Sequence, residues 1–170
     1  METIKVPQKR IKTYQDKDGA VLKKLHDDLE VDIRLVDGDI EIEGEGGSAW
    51  VATMVVNAIN LGFTPERAYK LFDDEYYLEV IDLDTFFAGS EKLIERYLAR
   101  VIGQEGKAKK VLEDLSDAHI SVWEHKIAII GTFEELHDAR EAINRLLQGS
   151  THAGVYSFLE RNKKLRRMPR

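Results

Sequence analysis

Apolar side chains recur at helical spacing in Leu93, Ile94, Tyr97, Leu98 and Val101, and the run stops at Gly103. A second stripe follows at once, Ala108, Val111, Leu112 and Leu115. Residues three and four apart share one face of a helix, so the pattern predicts two consecutive helices, each with one buried side. The period then changes. His119–Trp123 and Lys126–Ile130 are short apolar runs, while Asp32–Val36 and Asp39–Glu43 alternate more cleanly between apolar and charged residues. Both patterns predict strands, and Asp37-Gly38 between the second pair predicts a two-residue hairpin turn. Leu136, Ala139, Ile143 and Leu147 predict a third helix over 133–147 with Gly149 as its cap. Thr64-Pro65 opens an appended helix with an N-cap hydroxyl and an N1 proline, and Thr151 opens a counterpart. Strands over 2–6 and 76–83 precede the two sets.

The sets are copies. A shift of 87 positions, without a gap, places Gly19 on Gly106, Lys23 on Lys110, Leu25 on Leu112, Ile33 on Ile120, Ile40 on Ile127 and Gly44 on Gly131. The register holds through Asn57/Asn144, Gly62/Gly149, Thr64/Thr151 and Tyr69/Tyr156. Two repeats make a duplicated domain and not a solenoid. Each copy reads β-α-α-β-β-α, an α+β domain with three antiparallel strands and helices on one face, the first spanning 1–74 and the second 75–170.

Composition narrows the function. Among 170 residues, 43% are apolar and 33% charged, which suits a soluble protein with a real core, and no apolar run is long enough to span a membrane. The start, METIKVPQKR, lacks the pattern of a secretory signal. With no cysteine there are no disulfides, thiolate nucleophiles or Cys-based zinc sites, and a cytoplasmic location is expected. The net charge of −6 is unevenly spread: residues 1–85 hold 10 basic against 19 acidic side chains, and residues 86–170 hold 15 against 12. Affinity for nucleic acid depends on local neutralisation of phosphate, so the second half is where such binding belongs.

That half contains Arg100-Val-Ile-Gly-Gln-Glu-Gly-Lys-Ala-Lys-Lys110, with Gly103 and Gly106 between two predicted helices. Glycines let a backbone approach phosphate without a Cβ, and the following helix offers free N–H groups and a positive dipole end. Alone, the spacing also fits a plain helix–helix turn. Set between two helices and followed by a hairpin, it resembles the KH RNA-binding domain, whose loop clamps a single-stranded backbone. The first copy reads Gln15-Asp-Lys-Asp-Gly19, so Asp16 stands for the first glycine and Asp18 adds a second charge repulsive to phosphate. Glu105 departs from the basic residue usual in such loops. Ile102-Gly-Gln-Glu-Gly-Lys107, Ala118-His-Ile-Ser-Val122, Ile127-Ala-Ile-Ile-Gly131 and Ala139-Arg-Glu-Ala-Ile143 together resemble the Pno/Dim family of two-KH ribosome-assembly proteins, over nearly the whole chain, and the short length points to its archaeal branch.

The resemblance implies two tandem type I KH domains and binding of single-stranded RNA near the 3′ end of small-subunit ribosomal RNA. It also implies a protein that positions RNA and cuts nothing, beside the Nob endonuclease. A translation initiation factor subunit is the other partner expected, and the residues call for no cofactor or metal. The expected RNA-binding set is Arg100, Val101, Ile102, Gly103, Gln104, Glu105, Gly106, Lys107, Lys110, Leu112 and Ile120. In it Lys107 and Lys110 meet phosphate, and Val101, Ile102, Leu112 and Ile120 offer an apolar wall to bases. Aspartates at 103 and 106 should abolish binding and leave the fold intact. A protein–protein scaffold with weak RNA contact is the rival reading, and an enzyme has least support.

Other constellations are weaker. Gly44-Glu-Gly-Gly-Ser-Ala49 formally matches a dinucleotide fingerprint, but its strand belongs to a hairpin and not to a parallel βαβ unit. The five histidines show no metal-ligand spacing. Asp73-Asp-Glu75 reads as a linker. Arg161–Arg170, with six cations and no anion, is either a solvated end or an arm for phosphates. Trp50 is expected in the core, and Trp123 either packs or stacks a base.

Overall fold

The computed structural model describes residues 1–169. The chain divides into two units, Met1–Asp73 and Asp74–Arg170, and each is α+β with its own three-stranded antiparallel sheet. The first contains β1 (Glu2–Lys5), α1 (Gln8–Leu29), β2 (Asp32–Val36), β3 (Asp39–Glu43), α2 (Gly46–Asn60) and α3 (Pro65–Ala68), with a 3₁₀ turn over Tyr69–Phe72. The second contains β4 (Tyr76–Asp82), α4 (Leu83–Phe86), α5 (Glu91–Ile102), a 3₁₀ turn over Gln104–Gly106, α6 (Lys107–Ser116), β5 (His119–Trp123), β6 (Lys126–Thr132), α7 (Phe133–Leu147) and α8 (His152–Arg166). The sheet orders are β1-β3-β2 and β4-β6-β5, so the hairpin's second strand is central in each.

The duplication is visible in backbone angles. α1 is interrupted where α5 and α6 are separated: Asp16 is extended (φ −61°, ψ 150°), and Lys17, Asp18 and Gly19 are left-handed at φ 53°, 57° and 74°. The last two match Glu105 and Gly106, at φ 56° and 75°. The helices also end alike, at Glu30 (φ 55°) and Asp117 (φ 64°), whose N–H groups donate to His26 O and Glu113 O at 2.9 Å. Asp37 and Gly38, at φ 52° and 86°, form the hairpin turn that their sequence predicts. α7 starts on a Thr132–Glu135 capping box and stops at Gly149 (φ 98°), its bounds being those expected from the apolar stripe.

The glycines of the apparent dinucleotide motif have another cause. A Cβ on Gly44 would lie 2.9 Å from Val31 Cγ1, and one on Gly131 would lie 3.3 Å from the Cβ of Ala118, the counterpart of Val31. Close packing at the end of the central strand, in a sheet without parallel pairs, requires the small residue in both copies.

In the second unit Ile120 pairs with Ile129 and Val122 with Ile127, so these side chains share the face turned to the helices. They join Ile94, Val101, Leu112, Ala139 and Ile143 in one core. α2 buries Ala52, Val55, Val56 and Ile59, whereas Trp50 is 66% exposed, against the expectation that it is core. The physical reason is phase: Trp50 precedes Ala52 by two residues, about 200° around the helix.

Tyr14, 1% exposed, donates to Asn60 Oδ1 at 2.7 Å and to Val56 O at 3.2 Å. Burial holds its phenol above the ordinary 10.0, with Arg10 acting weakly in the opposite sense. A raised folded-state pKa gives stability that is complete below the unfolded value and is lost as pH rises through the folded one. The first unit is therefore expected to lose stability progressively above pH 10, and Tyr14→Phe should flatten that fall. Urea midpoints of the two proteins between pH 8 and 11 check this.

Candidate nucleic-acid interface

α5 ends at Gly103, whose N–H donates to Ala99 O at 2.8 Å and whose φ is +73°. A Cβ there would lie 2.6 Å from Ala108 Cβ and 2.7 Å from Ala108 N, so side-chain space and backbone both demand glycine. Gly106, at φ +75°, has nothing within 4 Å of its Cβ position and answers to backbone geometry alone. Between them Gln104 and Glu105 are exposed. Glu105 holds a left-handed conformation that costs an L-residue about 1 kcal/mol or more. Gly106 has no side chain to cap α6, and of the first-turn N–H groups that of Lys107 donates to Gln104 O within the loop. Lys107 and Lys110 are exposed on that turn. The loop thus joins an uncapped helix N-terminus, two cations and a backbone without Cβ atoms at its corners.

The sequence places other residues less well. Val101, Leu112 and Ile120 are 0%, 0% and 1% exposed and belong to the core, so they offer no wall to a base. The apolar stripe that made them look like a base-side surface is the core stripe of α5, α6 and β5. Ile102 alone of the four keeps partial exposure. Arg100 is also engaged: its guanidinium donates to Leu146 O at 2.6 Å and to Ser150 O at 2.5 Å, closing the end of α7. Arg10 grips the counterpart carbonyls, Ile59 O at 2.9 Å and Phe63 O at 2.8 Å, from one helical turn earlier in its own unit. This clamp is duplicated in geometry though not in sequence register. His152 Nε2 lies 2.8 Å from Arg100 O. Since a carbonyl only accepts, that nitrogen carries the proton and secures the last turn of α5 before the loop.

One side chain beside the loop has a structural role that the sequence did not suggest. Glu113 accepts from the Ile120 N–H at 3.0 Å along the outer edge of β5 and is paired with Lys109 at 3.2 Å. The i,i+4 spacing of Lys109 and Glu113 was the available signal. Its contact with the strand edge depends on tertiary structure.

The basic end of the chain is helix through Arg166 and not a free arm. Lys163 donates to Asp114 O at 2.5 Å and Arg166 to Leu115 O at 2.9 Å, both carbonyls in the last turn of α6. Lys163, Arg166 and Arg167 surround Asp117 at 3.3–3.6 Å, and Arg166 is hydrogen-bonded to the buried Asp138. Arg170, the last of the six cations, lies outside the described residues. His125 Nδ1 is 3.1 Å from Asp84, and among the described residues no three metal-binding side chains cluster.

An α+β unit with this bare, lysine-backed loop between the two helices of a helix–helix–hairpin order defines a KH domain. Residues 77–164 match the model of the second KH domain of PNO1, described as a eukaryotic type KH-domain (KH-domain type I), and the chain belongs to that family. It is 40% identical over 169 residues to a KH domain-containing protein of Methanocaldococcus jannaschii, covering 96% of this chain and 74% of that one. It is 32% identical over 105 residues to the pre-rRNA-processing protein PNO1 of Phaeosphaeria nodorum, spanning 61% of this chain but 40% of that longer protein. Among solved structures, Dim2p of Pyrococcus horikoshii is similar with a TM-score of 0.82 and 32% identity, over 94% of this chain and 98% of that one. The Pyrococcus complex of a/eIF2alpha, aDim2p and rRNA gives a TM-score of 0.84 and 35% identity, over 96% of this chain and 93% of that one.

Proposed function

We propose that this protein binds single-stranded RNA, the 3′ region of small-subunit ribosomal RNA, as a cytoplasmic ribosome assembly and processing factor, and that it does so as two tandem type I KH domains. The observation that carries the reading is the 103–106 loop, where a strand's phosphates can approach main-chain N–H groups and meet Lys107 and Lys110. Gln104 and Glu105 flank the strand, Ile102 offers the remaining apolar contact, and Gly103 and Gly106 shape the cradle. In the first unit Asp16 and Asp18 replace that cradle with negative charge. The resemblance to a pre-rRNA-processing protein and to a chain solved with rRNA supports the choice of RNA. The a/eIF2alpha in that complex supports an initiation factor subunit as a protein partner, and the Nob endonuclease rests on the family resemblance.

The protein holds RNA and cleaves none. Filter binding of the full chain should favour a single-stranded copy of the small-subunit 3′ end at least tenfold over the same RNA annealed to its complement, and the affinity should fall as salt rises. Equal affinity for both forms would retire the proposal.

A further inference from the structure

The 87-residue relation between the units also reveals what one of them lacks. In the second unit the last two turns of α8 tie the end of α6 to the start of α7. Asn162 donates to Asp138 at 2.9 Å, Arg166 bridges Asp138, Leu115 O and Asp117, and Lys163 joins Asp114 O to Asp117. The counterpart in the first unit starts from the same threonine N-cap, Thr64 for Thr151, but its helical turns end at Phe72, the counterpart of Leu159. The turns that would carry partners like Asn162, Lys163 and Arg166 are absent there, and the chain enters β4 at Tyr76.

The surface left without them differs in kind from its counterpart. Where α7 has His137, Asp138 and Glu141, α2 has Trp50, Val51 and Met54, with Trp50 two-thirds exposed and the other two half-buried. Gly46 and Gly47 beside them have open space around them, so another backbone can approach closely. At the neighbouring helix end Asp27 and Glu30 are exposed in the positions of Asp114 and Asp117, the residues at which Lys163, Arg166 and Arg167 converge in the second unit. That end is also the negative pole of its helix.

We propose that this surface of the first unit is a docking slot for an α-helix of a partner protein. The helix is apolar where it crosses Trp50, Val51 and Met54, and carries Lys or Arg in its last turn to meet Asp27 and Glu30. The second unit shows a helix seated in the equivalent place, and the charges specify its basic end. An amphipathic helix laid in a groove with an aromatic anchor is an established mode of recognition. Phosphate chains are disfavoured by the acidic border.

The test uses the full chain with Trp123→Phe, so that Trp50 reports alone, and a synthetic peptide copying residues 150–168 with Asn162→Leu, which fits the apolar slot. A saturable blue shift of Trp50 emission is expected, with amide shift changes confined to residues 24–30 and 46–58. Asp27→Lys with Glu30→Lys should weaken binding at least tenfold. Those positions are exposed at a helix C-terminus, where lysine is favoured, so the variant keeps its fold. No shift with peptide, or equal affinity in the charge-reversed variant, overturns the proposal. So does a Trp50 response to single-stranded RNA in place of the peptide, or a concentration-dependent blue shift without peptide, which would mark a second copy of the chain as the occupant.

Discussion

Gly103→Ala is expected to destabilise the second unit by about 3 kcal/mol, against about 1 kcal/mol for Gly106→Ala. Both glycines have φ near +75°, so both alanines carry the cost of a left-handed L-residue. They differ in surroundings. The new Cβ at 103 would fall 2.6 Å from Ala108 Cβ and 2.7 Å from its backbone nitrogen, and the latter belongs to the first turn of α6 and cannot swing aside. At 106 the methyl meets nothing within 4 Å. Ala108→Gly should recover only part of the loss at 103, since it removes the closer atom and leaves the nitrogen. Urea unfolding followed by Trp123 fluorescence in a Trp50→Phe background measures all three, and equal losses at the two glycines would refute the argument. The expectation that aspartates at both glycines spare the fold is corrected by the same distances. Only position 106 can take a side chain without moving α6.

The elements were legible because each has one buried side. The 3.6-residue stripe of Leu136, Ala139, Ile143 and Leu147 gave α7 its bounds, and alternation with Asp37-Gly38 gave β2, β3 and their turn. The loop was legible too, since Gly-x-x-Gly between helices is a backbone requirement written directly into residue type. What the sequence could not supply was direction. Val101 and Leu112 lie near the loop along the chain and Ile120 in the strand that follows, yet all three are buried in the core. Arg100 belongs to the expected RNA-binding set until the carbonyls of Leu146 and Ser150, some fifty residues on, are seen to accept from its guanidinium. The same holds for Lys163, Arg166 and Arg167 of the basic end, which look free in one dimension but meet Asp117, Asp138 and the last carbonyls of α6 in three. Long basic side chains are satisfied by whatever acceptor the fold brings near, and that acceptor is usually distant in sequence.

With Arg100 and with Lys163, Arg166 and Arg167 of the basic end engaged elsewhere, the lysines beside the loop carry more of the electrostatic part of RNA binding, which sharpens the second large prediction. Lys107 and Lys110 are exposed on the first turn of α6, whereas Lys109 is held by Glu113. Replacing Lys107 and Lys110 by Gln should weaken binding to single-stranded RNA about tenfold each, the scale of a charge-assisted hydrogen bond. The double variant should also flatten the dependence of log affinity on log salt by about 1.4, two phosphate contacts at about 0.7 each for a single strand. Glu105→Lys should act in the opposite sense, because it removes a carboxylate from the loop and adds a cation at an exposed site. A several-fold gain and a steeper salt slope are expected. Lys109→Gln separates charge from position: it lowers the net charge as much as Lys107→Gln does, yet its amine is turned to Glu113, so its effect should be well below tenfold. If all three lysines weaken binding equally, general attraction and not the built cradle holds the RNA, and the assignment of the site to residues 103–110 fails.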